Sequence, residues 1–245
     1  RVHSRTKNQA VLSIAKKKEF LDVYGTKAQE LLVVNPGVSL RRFRPAKNGE
    51  RKHILTSIGR QDDERKLILL TVCRLVEEKN VRQLIKSLEG EEDCILYVVG
   101  DGPLRKELEA LAVSANAPVF FLGQRVDVER FYRAADIFVL ASTYEGFGHV
   151  FLEAMSSGVP LVGVESSPPK TITATNEIIK NDLNGRIAST GSAADLSNAI
   201  YETRQLLEAG KLKKNEIRDL CAKRYSWETH LGKIVSYLNS VGQRE

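Results

Sequence analysis

Cysteine is scarce in this chain, with three in 245 residues, and Cys73, Cys94 and Cys221 show neither a CxxC spacing nor histidine partners at metal-site intervals. That excludes a disulfide framework and a structural zinc module, and it makes a reducing, cytoplasmic setting the default expectation. Long apolar runs are also missing: stretches such as "IFVLAS" and "ILYVV" fall far short of the roughly 20 residues that a membrane helix needs. No apolar leader core follows "RVHSRTKNQ", and there is no initiating Met, so the start reads as a cut inside a longer chain. Repeats and low-complexity tracts are absent too. A dinucleotide fingerprint fails on spacing, because Gly100 and Gly102 would need a third glycine where Arg105 stands.

What the chain does contain is ordinary for a folded domain, with 42% hydrophobic and 28% charged residues. The net charge of +6 is concentrated at the front: residues 1–60 carry 14 Lys/Arg against 4 Asp/Glu, whereas residues 61–245 carry 23 against 27. Clusters such as "KKK" at 16–18 and "RRFR" at 41–44 would suit an anionic membrane face. No nucleic-acid-binding motif accompanies them, so a solvated basic face is the simpler expectation and nucleic acid is not an expected partner.

From residue 66 onward, short apolar runs alternate with helical patterns. "LILLTV", "ILYVVG", "VFFLG", "IFVLAS" and "PLVGV" read as strands. Between them lie helices expected over 81–88, from Pro103, around "VERFYRAAD" and from near Gly148. Strands this uniformly apolar are buried on both faces, which predicts a doubly wound parallel sheet of Rossmann-like type. "GRIAST" is expected as a last strand or loop, followed by helices over about 193–208 and 211–225 and a C-terminal helix capped by Ser226. The expected division is the tail of a preceding domain with its linker over 1–30, the Rossmann-like domain over 31–225 and, over 226–245, a C-terminal helix packing back toward that preceding domain.

Ligands of open parallel sheets bind beyond the carboxyl ends of the strands, so the residues after each strand are where chemistry is expected. Arg74 and Lys79 follow the first strand, and "YEGFGHVFLEAM" from Tyr144 follows the fourth. This stretch sets Glu145 and Glu153 eight positions apart, with Gly146 and Gly148 beside the first acid. A helix N-terminus after Gly148 would offer free N–H groups to a phosphate, with Arg74 and Lys79 supplying countercharge. Carboxylates accept hydrogen bonds from sugar hydroxyls, so the two glutamates would grip sugars at either end of a diphosphate.

The segments "CRLVEEKN", "VVGDGPLRKELEALA", the long block over 121–163, "NEIIKNDLNGRI" and "YSWE", taken in order, resemble the C-terminal, donor-binding half of family 4 retaining glycosyltransferases of GT-B architecture. The similarity runs from about residue 31 to 240. It implies an enzyme that transfers a sugar from a nucleotide-sugar donor, by default a UDP-sugar, to a hydroxyl on a glycan, a lipid-linked sugar or a small molecule. No cofactor or metal is implied. As the resemblance has it, Glu145 faces the donor sugar and Glu153 the ribose, and Gly146, Phe147, Gly148 and His149 present backbone N–H groups. Arg74 and Lys79 would stabilise the departing diphosphate, with Arg125 near the base. A general-base role for His149 is the lesser expectation, because the family uses this position through its backbone. Trp227 is expected to anchor the last helix.

Two features depart from the family pattern. Cys73 stands where the family has glycine, and the family's N-terminal domain, with its acceptor site, has no counterpart in these residues. The fragment is therefore expected to bind donor and transfer almost nothing. Two alternatives stay open at this point. One is a nucleotide-sugar-binding or regulatory subunit working with a separate N-terminal partner; the other is a GT-B epimerase or sugar phosphorylase.

Overall fold

A computed structural model of the chain describes residues 10–24 and 31–242. At its centre lies a six-stranded sheet built from β3 (Leu67–Val72), β4 (Cys94–Val99), β5 (Val119–Gly123), β6 (Ile137–Leu140), β7 (Leu161–Val164) and β8 (Gly185–Ala188). The spatial order is β5-β4-β3-β6-β7-β8, and every neighbouring pair is parallel. Two further short strands, β1 (Ala10–Val11) and β2 (Leu32–Val33), pair parallel outside this sheet.

The apolar strands follow from having both faces covered. On one face, Ile68, Leu70, Tyr97, Phe138, Leu140 and Leu161 join a core completed by α5 (Val128–Ala134), α6 (His149–Ser156) and α9 (Lys214–Tyr225). On the other face the alternate residues Leu69, Leu96, Val98, Ile137, Val139 and Val162 meet α3 (Val81–Lys86), α4 (Arg105–Ser114) and α8 (Ala193–Glu208). A period of two along a strand therefore feeds two separate cores. Phe138 sits between Tyr132 and Phe151 at ring distances of 5.6 and 5.8 Å. Truncating such a ring costs about 3–5 kcal/mol.

The expected doubly wound sheet is thus present, with differences at element ends. The helix expected from Pro103 begins at Arg105, because the preceding turn is used to bind Leu104 N–H to the Leu75 carbonyl. The one expected from residue 211 begins at Lys214, since the Lys211 N–H closes the previous helix on Leu206 and Leu212 is buried. "GRIA" of the "GRIAST" stretch is the edge strand β8, pairing with β7 in register.

At the front of the chain, α1 (Ile14–Tyr24) lies against the loop after β6, with Ser13 fully buried. Residues 1–9 and 25–30 of the expected linker lie outside the described residues. Val38 N–H bonds the Tyr225 carbonyl, joining the segment after β2 to the end of α9. The last helix, α10 (Trp227–Gly242), is capped as expected: Ser226 Oγ accepts from the Thr229 N–H at 3.1 Å. Trp227 packs over Gly37 and against His230 but is 49% exposed, so it is an anchor on only one side. Leu231, Val235 and Leu238 continue an exposed apolar line along α10. Among the described residues no helix is long and apolar enough to cross a membrane.

Candidate active site at the carboxyl rim of the sheet

The chain winds outward from β3 through β4 to β5, and then crosses back to place β6 on the other side of β3. Loops leaving β3 and β6 therefore part in opposite directions, which opens a crevice at their carboxyl ends. Every candidate side chain read from the sequence follows one of these strands or lies on a neighbouring loop or helix.

Arg74 directly follows β3 and is exposed, and among the described residues its guanidinium makes no hydrogen bond or ion pair. Lys79 closes a short 3-10 turn over Glu77–Lys79. Its ammonium donates to Glu145 Oε1 at 2.7 Å and approaches the Tyr144 carbonyl at 3.4 Å. Ser142 Oγ donates to the same Glu145 oxygen at 2.9 Å. The second Glu145 oxygen has no partner among the described residues. An ammonium has three donors, so Lys79 keeps one for an incoming acceptor even while it holds Glu145.

Two glycine roles separate cleanly here. Gly100 and Gly102 serve backbone packing, since a Cβ on them would stand 1.9 Å from the Cys73 carbonyl oxygen and 2.4 Å from that of Leu75. They let the loop after β4 lie on the loop after β3, which positions Arg74. Gly148 instead takes a left-handed φ of 90° and forms the N-cap of α6. Among the described residues the N–H groups from Gly146 to Val150 find no acceptor, and a Cβ on Gly146 would meet nothing within 4 Å. A row of free N–H groups at the positive end of a helix beside open space favours an anion.

Glu153 lies one turn further along α6. The buried Tyr132 hydroxyl donates to its Oε2 at 2.8 Å, and loss of solvent raises its pKa above the usual carboxylate value. Glu153, Arg74 and Arg125 line one cleft of about 560 Å³, together with Cys73, Asp101 and Gln124. Lys79, Glu145 and His149 are not part of that lining. Lys79 and Glu145 meet each other at the crevice, while Gly146 lines a second cavity, shared with α1.

Three sequence candidates have narrower parts than their positions imply. The Arg125 guanidinium is held by both oxygens of Asp127 at 2.9 Å and stacks on the Phe131 ring. Its side chain is already committed, which leaves the backbone as the freer contact. The Phe147 ring is buried against Tyr225 at 5.8 Å, so only its backbone is available to a ligand. His149 is exposed, with a pKa lowered by partial loss of solvent, and among the described residues its ring makes no hydrogen bond that would activate it. Burial pushes the Cys73 thiol up to about 11, which makes it a poor nucleophile at neutral pH.

Sequence reasoning missed Tyr132, Ser142 and Ser13. Tyr132 sits in the apolar stripe of "RFYRAAD" and looks like core; only the fold reveals its hydroxyl facing Glu153. Ser142, three residues before Glu145, was the one readable signal.

Residues 57–218 match the family model described as glycosyl transferases group 1. The chain belongs to this family. It is 28% identical over 233 residues to the sulfoquinovosyl transferase SQD2 of Arabidopsis thaliana, covering 91% of the chain and 42% of that protein. It is 32% identical over 155 residues to the alpha-monoglucosyldiacylglycerol synthase of Streptococcus pneumoniae, covering 59% of the chain and 34% of that protein. The chain thus spans less than half the length of these relatives. Anabaena HepE, solved in complex with UDP and glucose, superposes with a TM-score of 0.84 at 20% identity, covering 98% of the chain and 64% of that structure. The fold is that of GT-B glycosyltransferases.

Proposed function

We propose that this chain is the donor-binding half of a retaining glycosyltransferase of family 4 type, taking a UDP-sugar and passing its sugar to a hydroxyl acceptor. The observation that carries this is the grouping, at the carboxyl rim of the sheet, of positive groups that keep free donors with two half-buried carboxylates. Arg74 and the N–H row from Gly146 to Val150 have no protein partner among the described residues, and Lys79 retains a donor. Glu153 and the free oxygen of Glu145 flank them. The arrangement suits a diphosphate in the middle, ribose hydroxyls on Glu153 and donor-sugar hydroxyls on Glu145. UDP is the favoured nucleotide, supported by the UDP held in the similarly folded Anabaena structure.

In the transfer step the anomeric carbon–oxygen bond breaks and its electron pair leaves with the diphosphate. The acceptor oxygen bonds the same carbon from the same face and gives its proton to the departing diphosphate oxygen. Arg74, Lys79 and the N–H row would stabilise the charge that develops on that diphosphate. One such preorganised donor is worth about 2.7–4 kcal/mol of barrier. The protein groups supply this countercharge themselves, so binding is expected to be independent of metal. Membership of a glycosyl transferase family favours transfer over epimerisation or a purely regulatory role.

The acceptor site is assigned to the part of the relatives that this chain does not span, so the chain alone should bind donor and turn over very slowly. Holding two reactants together contributes about 7–11 kcal/mol. The basic residues 1–60 and the relative named as an alpha-monoglucosyldiacylglycerol synthase support a lipid-linked or membrane-lipid acceptor at a cytoplasmic membrane face. The test is calorimetric titration of UDP, GDP and ADP with and without EDTA, on the chain and on its Arg74→Met and Glu153→Ala variants. UDP binding that resists EDTA and weakens in both variants is expected. No binding by any of the three nucleotides, or binding untouched by both substitutions, would overturn the assignment.

A further inference from the structure

Ser13 is fully buried, although a serine hydroxyl in a core needs an acceptor for its proton. Among the described residues its one acceptor is the carbonyl of Gly146, at 3.4 Å. The same Oγ accepts the Lys16 N–H at 3.0 Å and so caps the start of α1. Both Glu177 oxygens take the next free N–H groups of that helix, from Ile14 and Ala15, at 2.9 Å each. Lys16 then reaches the Tyr144 hydroxyl at 2.5 Å and lies 3.9 Å from its ring centre. Residues 13–16 are therefore pinned at two points to the segment that carries Glu145 and Gly146, and at a third to Glu177.

The contact at Gly146 fixes a direction. The Gly146–Phe147 peptide is trans, and in a trans peptide the carbonyl and the following N–H point to opposite sides. With the Gly146 carbonyl turned toward Ser13, the Phe147 N–H is turned away from α1 and finds no protein acceptor among the described residues. Gly146 itself offers little resistance to rotation, having no side chain and open space around its missing Cβ, so apart from Ser13 the restraint on this peptide falls on the φ of Phe147, whose ring is anchored on Tyr225. Without Ser13 the peptide could rotate and present an oxygen where a diphosphate or donor sugar needs a donor.

We infer that Ser13 is a positioning residue for the donor site: its hydroxyl holds the Gly146 peptide so that the Phe147 N–H faces the bound nucleotide sugar. The inference rests on the donor site proposed above and adds that the site is complete only when residues 13–16 are docked. Donor readiness is thereby tied to the segment of chain that enters α1.

The experiment uses the 245-residue chain with UDP-glucose as the probe. Calorimetry gives affinity, and amide hydrogen exchange read by NMR reports the Phe147 and Lys16 N–H groups with and without probe. The wild-type Phe147 amide should become protected when UDP-glucose binds. Ser13→Ala should weaken UDP-glucose about three- to tenfold, the range expected for one lost hydrogen bond, and should abolish that protection. Ser13→Thr, which keeps the hydroxyl, should restore both. If only the helix cap mattered, Lys16 exchange would rise in Ser13→Ala while Phe147 stayed protected by the probe, and the inference would be overturned. Wild-type affinity and wild-type Phe147 protection in Ser13→Ala would overturn it as well. Loss in Glu153→Ala without loss in Ser13→Ala removes this inference and leaves the donor site standing. Failure of the unmodified chain to bind UDP-glucose removes both.

Discussion

Charged groups at the two ends of the sheet are treated in opposite ways. At the amino end, Arg51 donates to Asp136 Oδ1 at 2.5 Å and to the Lys66 carbonyl at 2.9 Å, while Asp136 Oδ2 takes the Ile68 N–H at 2.9 Å. Arg60 and Tyr97 likewise share the buried Asp63. Most donors there have an acceptor, with the buried Nε of Arg51 an exception. At the carboxyl end, Arg74 and the N–H groups from Gly146 to Val150 have no partner among the described residues, and Glu153 has a tyrosine hydroxyl but no bonded cation. Charged groups are paired at one end and left largely open at the other, and the open end is where the proposed donor would supply partners.

The sharpest way to break this comparison is to exchange the consequences of the two arginines. Arg51→Met leaves Asp136 with its charge, at a site about three-quarters shielded from solvent, and without its cation. Unfolding free energy should drop by about 2–3 kcal/mol, less than the full cost for a buried pair because both groups keep some solvent. UDP affinity measured well below the melting temperature should be unchanged. Arg74→Met should do the reverse. Stability by urea titration should stay within about 0.5 kcal/mol of the parent, while UDP affinity falls by about 1.5–3 kcal/mol, roughly tenfold to a hundredfold. Equal effects of the two substitutions on both quantities would show that the division between the two ends is not real.

This division was legible in the sequence on one side only. The carboxyl rim could be read because its parts sit at fixed intervals from apolar runs: Arg74 and Lys79 after "LILLTV", and Glu145 and Glu153 around a Gly-x-Gly after "IFVLAS". Strand alternation gave the sheet, since residues buried on both faces leave an unbroken apolar signature. The amino end could not be read, because Arg51 and Asp136 are 85 positions apart and each looks like a surface charge alone. The same limit hid Tyr132 and Ser13. Tyr132 meets Glu153 across 21 positions and Ser13 meets Gly146 across 133, so their hydroxyls find these partners only once the fold has formed. The "GDGP" stretch was ambiguous for a related reason. Glycine reports that something comes close, and only the fold shows that the visitor at Gly100 is the chain's own Cys73 carbonyl.

A smaller effect separates two glutamates that sequence alone would rank alike. Glu50 accepts from Arg44, from the Lys47 N–H and from Arg133, and these donors, Arg44 foremost, pull its pKa from 4.5 to about 2. A depressed acid contributes stability that is present above its unfolded pKa and is lost as pH falls through the folded value. The loss should therefore fall between about pH 4.5 and 2. Its side chain keeps 19% exposure, so about 1–2 kcal/mol is expected after screening. Urea titrations of the parent and Glu50→Gln across that window should converge at the acid end. Parallel curves throughout would show that the Arg44 contact is too weakly held to matter.

Glu153 carries the opposite sign, and its effect is the smallest. Loss of solvent raises its pKa, with the Tyr132 hydroxyl offsetting part of that cost. The unfolded chain ionises this carboxyl near 4.5, whereas the folded chain still holds the proton. Stability is therefore lost as pH rises from the unfolded value through the folded one, and the penalty is complete above it. Glu153→Gln keeps an acceptor for Tyr132 and removes the buried charge. It should match the parent below about pH 4 and exceed it at pH 7 by about 0.5–1 kcal/mol, the scale usual for relieving a destabilised functional site. The same variant should bind UDP more weakly, because an amide is a poorer acceptor for ribose hydroxyls than a carboxylate. Greater stability at neutral pH together with weaker nucleotide binding is the pattern of a group held out of its preferred state for a ligand. A Glu153→Gln protein that loses stability at pH 7 would place this carboxylate with Glu50, among the groups the fold keeps for itself.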